Sequence, residues 1–338
     1  MRKKLGVFLL AMLVVLALAG CGEKSQADVV KSLEAKMEEM SGYKANATMT
    51  LKTGSEEQVY EVEIWHSKPH YYRVNLKNTQ KEQSQMILRN DEGVFVLTPA
   101  LNKSFRFQSD WPQNSSQAYL YESLVKDILR DPEAVFTAND NHYVFETKTN
   151  YKNNKALPVQ EITLNKSDLT PATVKVMDPD RNPLLQVDFT SIELNASFDE
   201  GAFDMQRNMT GAQMEVPTMA SGSVEGPLQV LYPFDIPEGV ALIGEKEMET
   251  ENGKRVILTY GGEDKSFTLI QERARIADVA TTSSVSGEPV DLGFTVGALS
   301  DSSVAWSHNG VDFLLASNNL TQEELLMVAR SVQGQSIK

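Results

Sequence analysis

Val59-Tyr60-Glu61-Val62-Glu63-Ile64-Trp65-His66 decides the fold class, because its apolar and polar side chains alternate residue by residue. Successive side chains of a strand point to opposite faces, so Tyr60, Val62 and Ile64 share one face and Glu61, Glu63 and Trp65 the other. One face must be buried, and the sequence supplies neighbours to bury it with. Residues 71–76, 85–89, 93–98 and 104–107 are further short strands, separated by turn signals at Lys68-Pro69, Asn90-Asp91-Glu92-Gly93 and Pro99. Five or more consecutive antiparallel strands are the simplest account.

The period changes on either side of this meander. Ser25 stands as an N-cap before Val29, Val30, Leu33, Met37 and Met40, spaced three or four apart, and Ser41-Gly42 ends that amphipathic helix. Its charged residues Lys31, Glu34, Lys36, Glu38 and Glu39 read as a solvated face. A second helix is expected over 119–130, with Leu120, Leu124, Val125, Ile128 and Leu129 on one stripe and Asp131-Pro132 as its stop. Strands return at 142–148, 159–165, 172–177 and 184–190, joined by polar turns such as Asn165-Lys166-Ser167-Asp168. The expected class is therefore mainly β with α, a curved antiparallel sheet flanked by helices.

Residues 205–227 are rich in Gly, Ser, Thr, Met and Gln with no period, and read as a linker. Beyond it, residues 228–338 carry a second, smaller α+β pattern. Strands at 256–260 and 266–270 surround Gly261-Gly262-Glu263-Asp264, and strands at 304–308 and 311–316 surround Asn309-Gly310. Asn-Gly is favoured where both central residues of a type I′ turn take positive φ. Thr321-Gln322-Glu323-Glu324 is a capping box opening a final helix with Leu325, Leu326, Val328, Ala329 and Val332. The expected organisation is a signal segment over 1–20, a first domain over 21–204, the linker, and the C-terminal domain.

The signal segment rests on Met1-Arg2-Lys3-Lys4, a charge-free apolar run, and Leu18-Ala19-Gly20-Cys21. Basic residues hold the cytoplasmic end, and small residues at Ala19 and Gly20 let a peptidase reach the backbone. The apolar run is shorter than the ~20 residues a transmembrane helix needs. Cys21 is the sole cysteine, so its thiol has no disulfide partner within the chain and is free for lipidation. Leu18, Ala19, Gly20 and Cys21 together resemble the lipobox of bacterial lipoproteins, in which the cysteine is acylated and becomes the first residue. Localisation on the outer face of the cytoplasmic membrane, held by lipid, is the expectation. Loss of residues 1–20 removes Arg2, Lys3 and Lys4 and no acid, moving the formal charge from −14 to −17. Such a surface is repelled by phosphate backbones and anionic headgroups, which argues against nucleic-acid binding and leaves the lipid to do the anchoring.

No catalytic or metal constellation is legible. His66, His70, His142 and His308 form no ligand pair at helical spacing with a neighbouring acid, and His66 and His70 read as two exposed turn histidines. Asp178-Pro179-Asp180 lacks the spaced ligands of a calcium loop. Glu61 and Glu63 read as solvent-facing. Nucleophile elbows, Walker loops and dinucleotide fingerprints are missing from any fitting strand and helix context. No enzyme and no cofactor is expected.

With these elements placed, residues 25–204 resemble the LolA/LolB/RseB superfamily of lipoprotein carriers and sensors. The likeness is carried by Trp65-His66-Ser67-Lys68-Pro69 followed by Tyr72-Arg73-Val74, by Asp91-Glu92-Gly93-Val94-Phe95-Val96-Leu97-Thr98-Pro99, and by the closing Phe198-Asp199 to Phe203. The C-terminal stretch from Pro233 through Trp306-Ser307-His308-Asn309-Gly310 to Leu320-Thr321 is similar to DUF4367-like domains, and the whole chain resembles the YdcC-like sporulation-associated lipoproteins. The resemblance implies a half-barrel whose concave apolar face, under a helical lid, takes lipid or an acylated polypeptide. Its counterparts here are Tyr60, Val62, Ile64, Tyr72, Val74 and Leu76 on the sheet, with Leu120, Leu124 and Ile128 as lid. The same side chains are what an ordinary packed core requires. An RseB-like alternative is a sensor or interaction module for a membrane protein partner. Tethering at Cys21 favours a stationary receptor or sensor over a shuttle.

Overall fold

The computed structural model describes residues 23–332 apart from 53–56, 81–83, 152–154, 216–227, 251–252, 276–280 and 286. Cys21, Leu18, Ala19 and Gly20 lie outside the described residues. The chain divides into a short N-terminal unit ending at Glu39 and a second unit from Met40 onward.

The first unit contains α1 (Gln26–Glu39). Its start is fixed by Ser25, whose hydroxyl accepts the Asp28 N–H at 3.3 Å while the Asp28 carboxylate accepts the Ser25 N–H at 3.1 Å. Two backbone donors left over by the helix geometry are thereby satisfied.

The second unit opens with β1 (Gly42–Leu51), β2 (Gln58–Ser67), β3 (Tyr71–Asn78), β4 (Ser84–Asn90), β5 (Gly93–Thr98) and β6 (Lys103–Phe107), an antiparallel meander. After α2 (Tyr121–Arg130) come β7 (Val135–Ala138), β8 (His142–Lys148), β9 (Val159–Asn165), β10 (Pro171–Met177) and β11 (Pro183–Leu194). β11 lies beside β1, so one large open sheet runs from β6 through β1 and β11 to β7. β1 is central, yet its approach to β2 is close enough that a Cβ on Gly42 would stand 2.3 Å from the His66 carbonyl oxygen. Glycine is required there by contact, not by turn geometry.

The sheet is covered on both faces. On the face shared by Tyr60, Ile64 and Val74, α2 is tied down by Tyr43, whose hydroxyl donates to Glu122 at 2.7 Å and accepts the Tyr121 N–H at 3.1 Å. On the other face lies α3 (Met205–Glu215), with Met209 and Ala212 packed against Met86, Leu88, Phe95 and Leu97 of β4 and β5. This corrects the linker reading for residues 205–215. The helix is short, capped by Asp204, which accepts the Arg207 N–H at 2.7 Å, and its weak amphipathic signal is supplemented by Phe203 and Met205 at the same cluster. Residues 216–227 lie outside the described residues.

The remaining elements are β12 (Ala241–Thr250), β13 (Gly253–Gly261), β14 (Ser266–Arg273), β15 (Thr281–Val285), β16 (Glu288–Asp291), β17 (Val296–Leu299), β18 (Ser303–His308), β19 (Val311–Ala316) and α4 (Gln322–Ser331). Seven of the strands form a second open sheet in the order β12-β13-β14-β19-β18-β17-β16. Its core joins Leu258, Leu269, Trp306 and Leu315 to Leu325 and Val328 of α4. The Asn309-Gly310 turn has positive φ at both residues, 50° and 72°, and the Thr321–Glu324 capping box is formed as read. One strand departs from the expected division at residue 228. β15 pairs in parallel with β6, so a C-terminal segment extends the first sheet to twelve strands. The fold is mainly β with a few helices, built on large curved sheets that do not close into a barrel.

Candidate functional site

The expected ligand face is assembled, and it is packed. Cross-strand register places Val62 opposite Leu76, Ile64 opposite Val74 and His66 opposite Tyr72. Tyr60, Val62, Ile64, Tyr72, Val74 and Leu76 are all buried, Leu76 being the most open at 8%. Leu120 at the N-cap of α2, and Leu124 and Ile128 within it, are buried as well. The space touching Tyr60 and Leu76 is a cavity of about 60 Å³, and a second of about 270 Å³ lies further along the same sheet face at Gln85, Val96 and Phe105. Ligand pockets usually offer about 300–1,000 Å³, so the first takes a few waters and no acyl chain.

A polar network at one end of the face explains the local order. His66 is 2% exposed, which corrects its reading as an exposed turn residue; only His70, on the outside against Asp91 at 2.9 Å, fits that description. The His66 ring stacks on Tyr72 at 4.4 Å, directs Nδ1 at the Tyr71 carbonyl oxygen at 3.0 Å, and sets Nε2 3.2 Å from Glu122. Burial and the adjacent Glu122 carboxylate push the Tyr43 and Tyr72 hydroxyls far above their ordinary range. Burial likewise raises Tyr60 to about 12. These phenols act as neutral hydrogen-bonding groups, and none is poised as a base.

The Phe294–Val296 segment is bonded to one edge of the face. Tyr60 donates to the Phe294 carbonyl at 3.0 Å, and the Gln85 side-chain oxygen accepts from the Val296 N–H at 2.7 Å and the Thr295 hydroxyl at 2.9 Å. Beside it runs a groove of about 260 Å³ lined by Leu51, Leu157, Leu184, Leu185, Phe234 and Met327, with Asp291 and Arg330 also in its wall. Burial raises the Asp291 carboxyl, while the Gly293 N–H and Arg330 oppose the shift. Arg330 donates to the Asp291 carbonyl at 2.9 Å.

A further pocket was not expected from sequence. On the outer face of the sheet, about 360 Å³ is enclosed by Lys44, Trp65, Arg73, Phe198, Asp199 and Arg207, with small residues and Asn208 completing the wall. Lys44 stands opposite Trp65, and Trp65 opposite Arg73, so the three form one row across β1, β2 and β3. The Trp65 reading as an outward residue is the signal that leads here, and the missing piece was β1. Glu63, expected to face solvent, pairs with Arg73. Among the described residues, no group of three or more His, Cys, Asp or Glu side chains could hold a metal ion, and no helix is long and apolar enough to cross a membrane.

A family model described as sporulation protein YdcC-like matches residues 2–203. Sporulation protein YdcC of Bacillus subtilis (strain 168) is 57% identical over 337 residues, covering 100% of this chain and 99% of the relative. The chain belongs to the YdcC-like sporulation protein family. Among solved structures, the Pseudomonas aeruginosa MucA/MucB complex contains a chain 14% identical, matched over 92% of this chain and 100% of that chain with a TM-score of 0.34. A LolA superfamily protein from Nitrosomonas europaea is 13% identical over 53% of this chain and 98% of that chain, with a TM-score of 0.30.

Proposed function

We propose that this YdcC-like sporulation protein is tethered by lipid at Cys21 to the outer face of the cytoplasmic membrane and works there as a non-enzymatic recognition module for a protein partner. The observation that carries the reading is the filled state of the face a lipid carrier would need open. The nine apolar side chains are buried with about 60 Å³ at Tyr60 and Leu76, and the roomier spaces on the same sheet face, about 270 Å³ at Val96 and Phe105 and about 260 Å³ at Leu51 and Leu185, lie to either side of them. A stationary tether fits recognition, because a shuttle has to leave the membrane with its cargo. The tether accords with the lipobox, and the acidic chain adds no attraction to an anionic bilayer. A cross-linking experiment in sporulating cells tests the reading. It expects a stoichiometric protein adduct that persists when lipid is removed; an adduct with lipid alone would exclude it.

A second reading has its own observation. The apolar groove of about 260 Å³ at Leu51, Leu157, Leu185 and Phe234 lies beside the nine candidate side chains, and would hold part of an acyl chain of a lipid or acylated polypeptide by burial at ~25 cal/mol per Å². Phe234→Asp would then abolish lipid retention while leaving partner binding intact.

A further inference from the structure

The outer-face pocket gathers cations on a chain that is acidic as a whole. Three of its lining residues, Lys44, Arg73 and Arg207, are cationic and only Asp199 is acidic, in a chain whose net charge is −14. The three cations are not equivalent. Arg73 is neutralised by Glu63, donates to Asn208 at 2.8 Å, and lays its guanidinium over Trp65 at 4.2 Å. Arg207 donates to the Glu200 carbonyl at 2.7 Å and lies 3.9 Å from Asp199, whose side chain is 89% exposed. Lys44 differs from both. Its ammonium lies 5.2 Å from the centre of Trp65 and 5.1 Å from that of Phe198, and it forms no ion pair among the described residues. Its cross-strand neighbour on β11 is the exposed Glu193.

An ammonium on two aromatic faces is held in place by their quadrupoles while its free hydrogens remain available to an anion. Two flat rings meanwhile give an apolar wall for whatever carries that anion. The volume suits a side chain and part of a backbone, not an extended surface. A single carboxylate within a few ångströms of Lys44 feels that ammonium most directly, since Glu63 and Asp199 are already engaged with Arg73 and Arg207 and more distant acids are screened beyond about 8 Å at physiological ionic strength. An anionic bilayer or nucleic acid spans that distance and meets the repulsive remainder of the surface.

Resting on the protein-recognition reading above, we infer that this pocket is the recognition site, and that it takes a glutamate or aspartate carboxylate on a partner segment, with Lys44 as the anion contact and Trp65 and Phe198 as the wall. Arg73 is a positioning residue that holds the indole, and Arg207 closes the opposite side. Nothing in the reaction chemistry is asked of them.

The test is calorimetric titration of the full chain in detergent micelles with acetyl-Leu-Glu-Leu-amide, using acetyl-Leu-Gln-Leu-amide as the neutral isostere. The glutamyl peptide is expected to bind at least about tenfold more tightly than the glutaminyl one, the scale of one charge-assisted contact. Lys44→Gln is expected to erase that difference and Lys44→Arg to keep most of it, with both variants melting cooperatively as the parent does. Equal binding of the two peptides, or full retention in Lys44→Gln, overturns the inference. Inorganic phosphate binding in place of the peptide overturns it in favour of a small-anion site, and Lys44-dependent binding to phosphatidylglycerol vesicles overturns it in favour of a membrane contact. If the pocket fails while a protein partner still cross-links to the Lys44→Gln variant, only this inference falls; if no partner cross-links to the parent chain, the recognition reading itself falls.

Discussion

The side-chain oxygen of Gln85 in β4 accepts the backbone N–H of Val296 in β17 at 2.7 Å, so a residue of the first sheet satisfies the ladder of the second. Thr295 adds a hydroxyl donor at 2.9 Å to the same oxygen, and Lys103 reaches Asp312 at 2.6 Å nearby. These bonds, with β15 seated on β6, join the two sheets through polar contacts.

Gln85→Leu should therefore destabilise more than its half-buried position implies. The Val296 N–H loses its acceptor, and an unsatisfied buried donor costs about 1–3 kcal/mol. Urea denaturation is expected to show a lower midpoint with both sheets melting in one transition. An unchanged midpoint would mean that water replaces the glutamine without loss.

Ile64→Ala distinguishes a filled core from an open ligand face. Ile64 is fully buried, and deleting such a side chain from a packed interior costs about 2–5 kcal/mol. A loss below about 1 kcal/mol would indicate that Ile64 lines space rather than packing against neighbours.

Asp127 gives a pH signature. It is 5% exposed, accepts the Ser116 hydroxyl and the Gln160 amide at 2.7 Å each, and burial raises its carboxyl above the ordinary value of 3.8 despite those bonds. The folded state therefore keeps a proton that the unfolded state releases first. Stability from this group is full below 3.8 and falls as pH rises through the raised folded value. Stability of the parent relative to Asp127→Asn should decrease from pH 4 towards neutrality. An increase over that range would reverse the sign and reject the assignment.

Cys21→Ser is expected to release the protein into the medium, followed by immunoblotting of membrane and medium fractions. Full retention at the membrane would show a different anchor.

What the sequence made legible depended on burial. β2, β3 and the β18–β19 hairpin alternate because one face is buried, and the Asn309-Gly310 and Thr321–Glu324 signals have local chemical causes. β1 was missed although Tyr43, Ala45, Ala47 and Met49 do alternate, because alanines, lysine and asparagine carry little strand preference. β12 was missed for the opposite reason. It is an edge strand exposed along nearly its whole length, with Glu245, Lys246, Glu247 and Glu249 facing water, so there is no apolar period to read. Tyr60, Val62 and Ile64 stand beside Val74 and Leu76 because register follows from the alternation. Whether such a set encloses space depends on the elements packed over it, here α2 and the Phe294–Val296 segment, and no local pattern encodes that. The outer pocket needed Lys44 on an unrecognised strand and Arg207 on an unrecognised helix.

Native mass spectrometry of the soluble chain, prepared with Cys21 replaced by serine, tests the central claim most directly. A filled face predicts the mass of the polypeptide alone after gentle purification from cells. A stoichiometric lipid, lost on Tyr60→Asp or Leu76→Asp but kept in Phe234→Asp, would show that the concave face opens to hold one and would contradict the account.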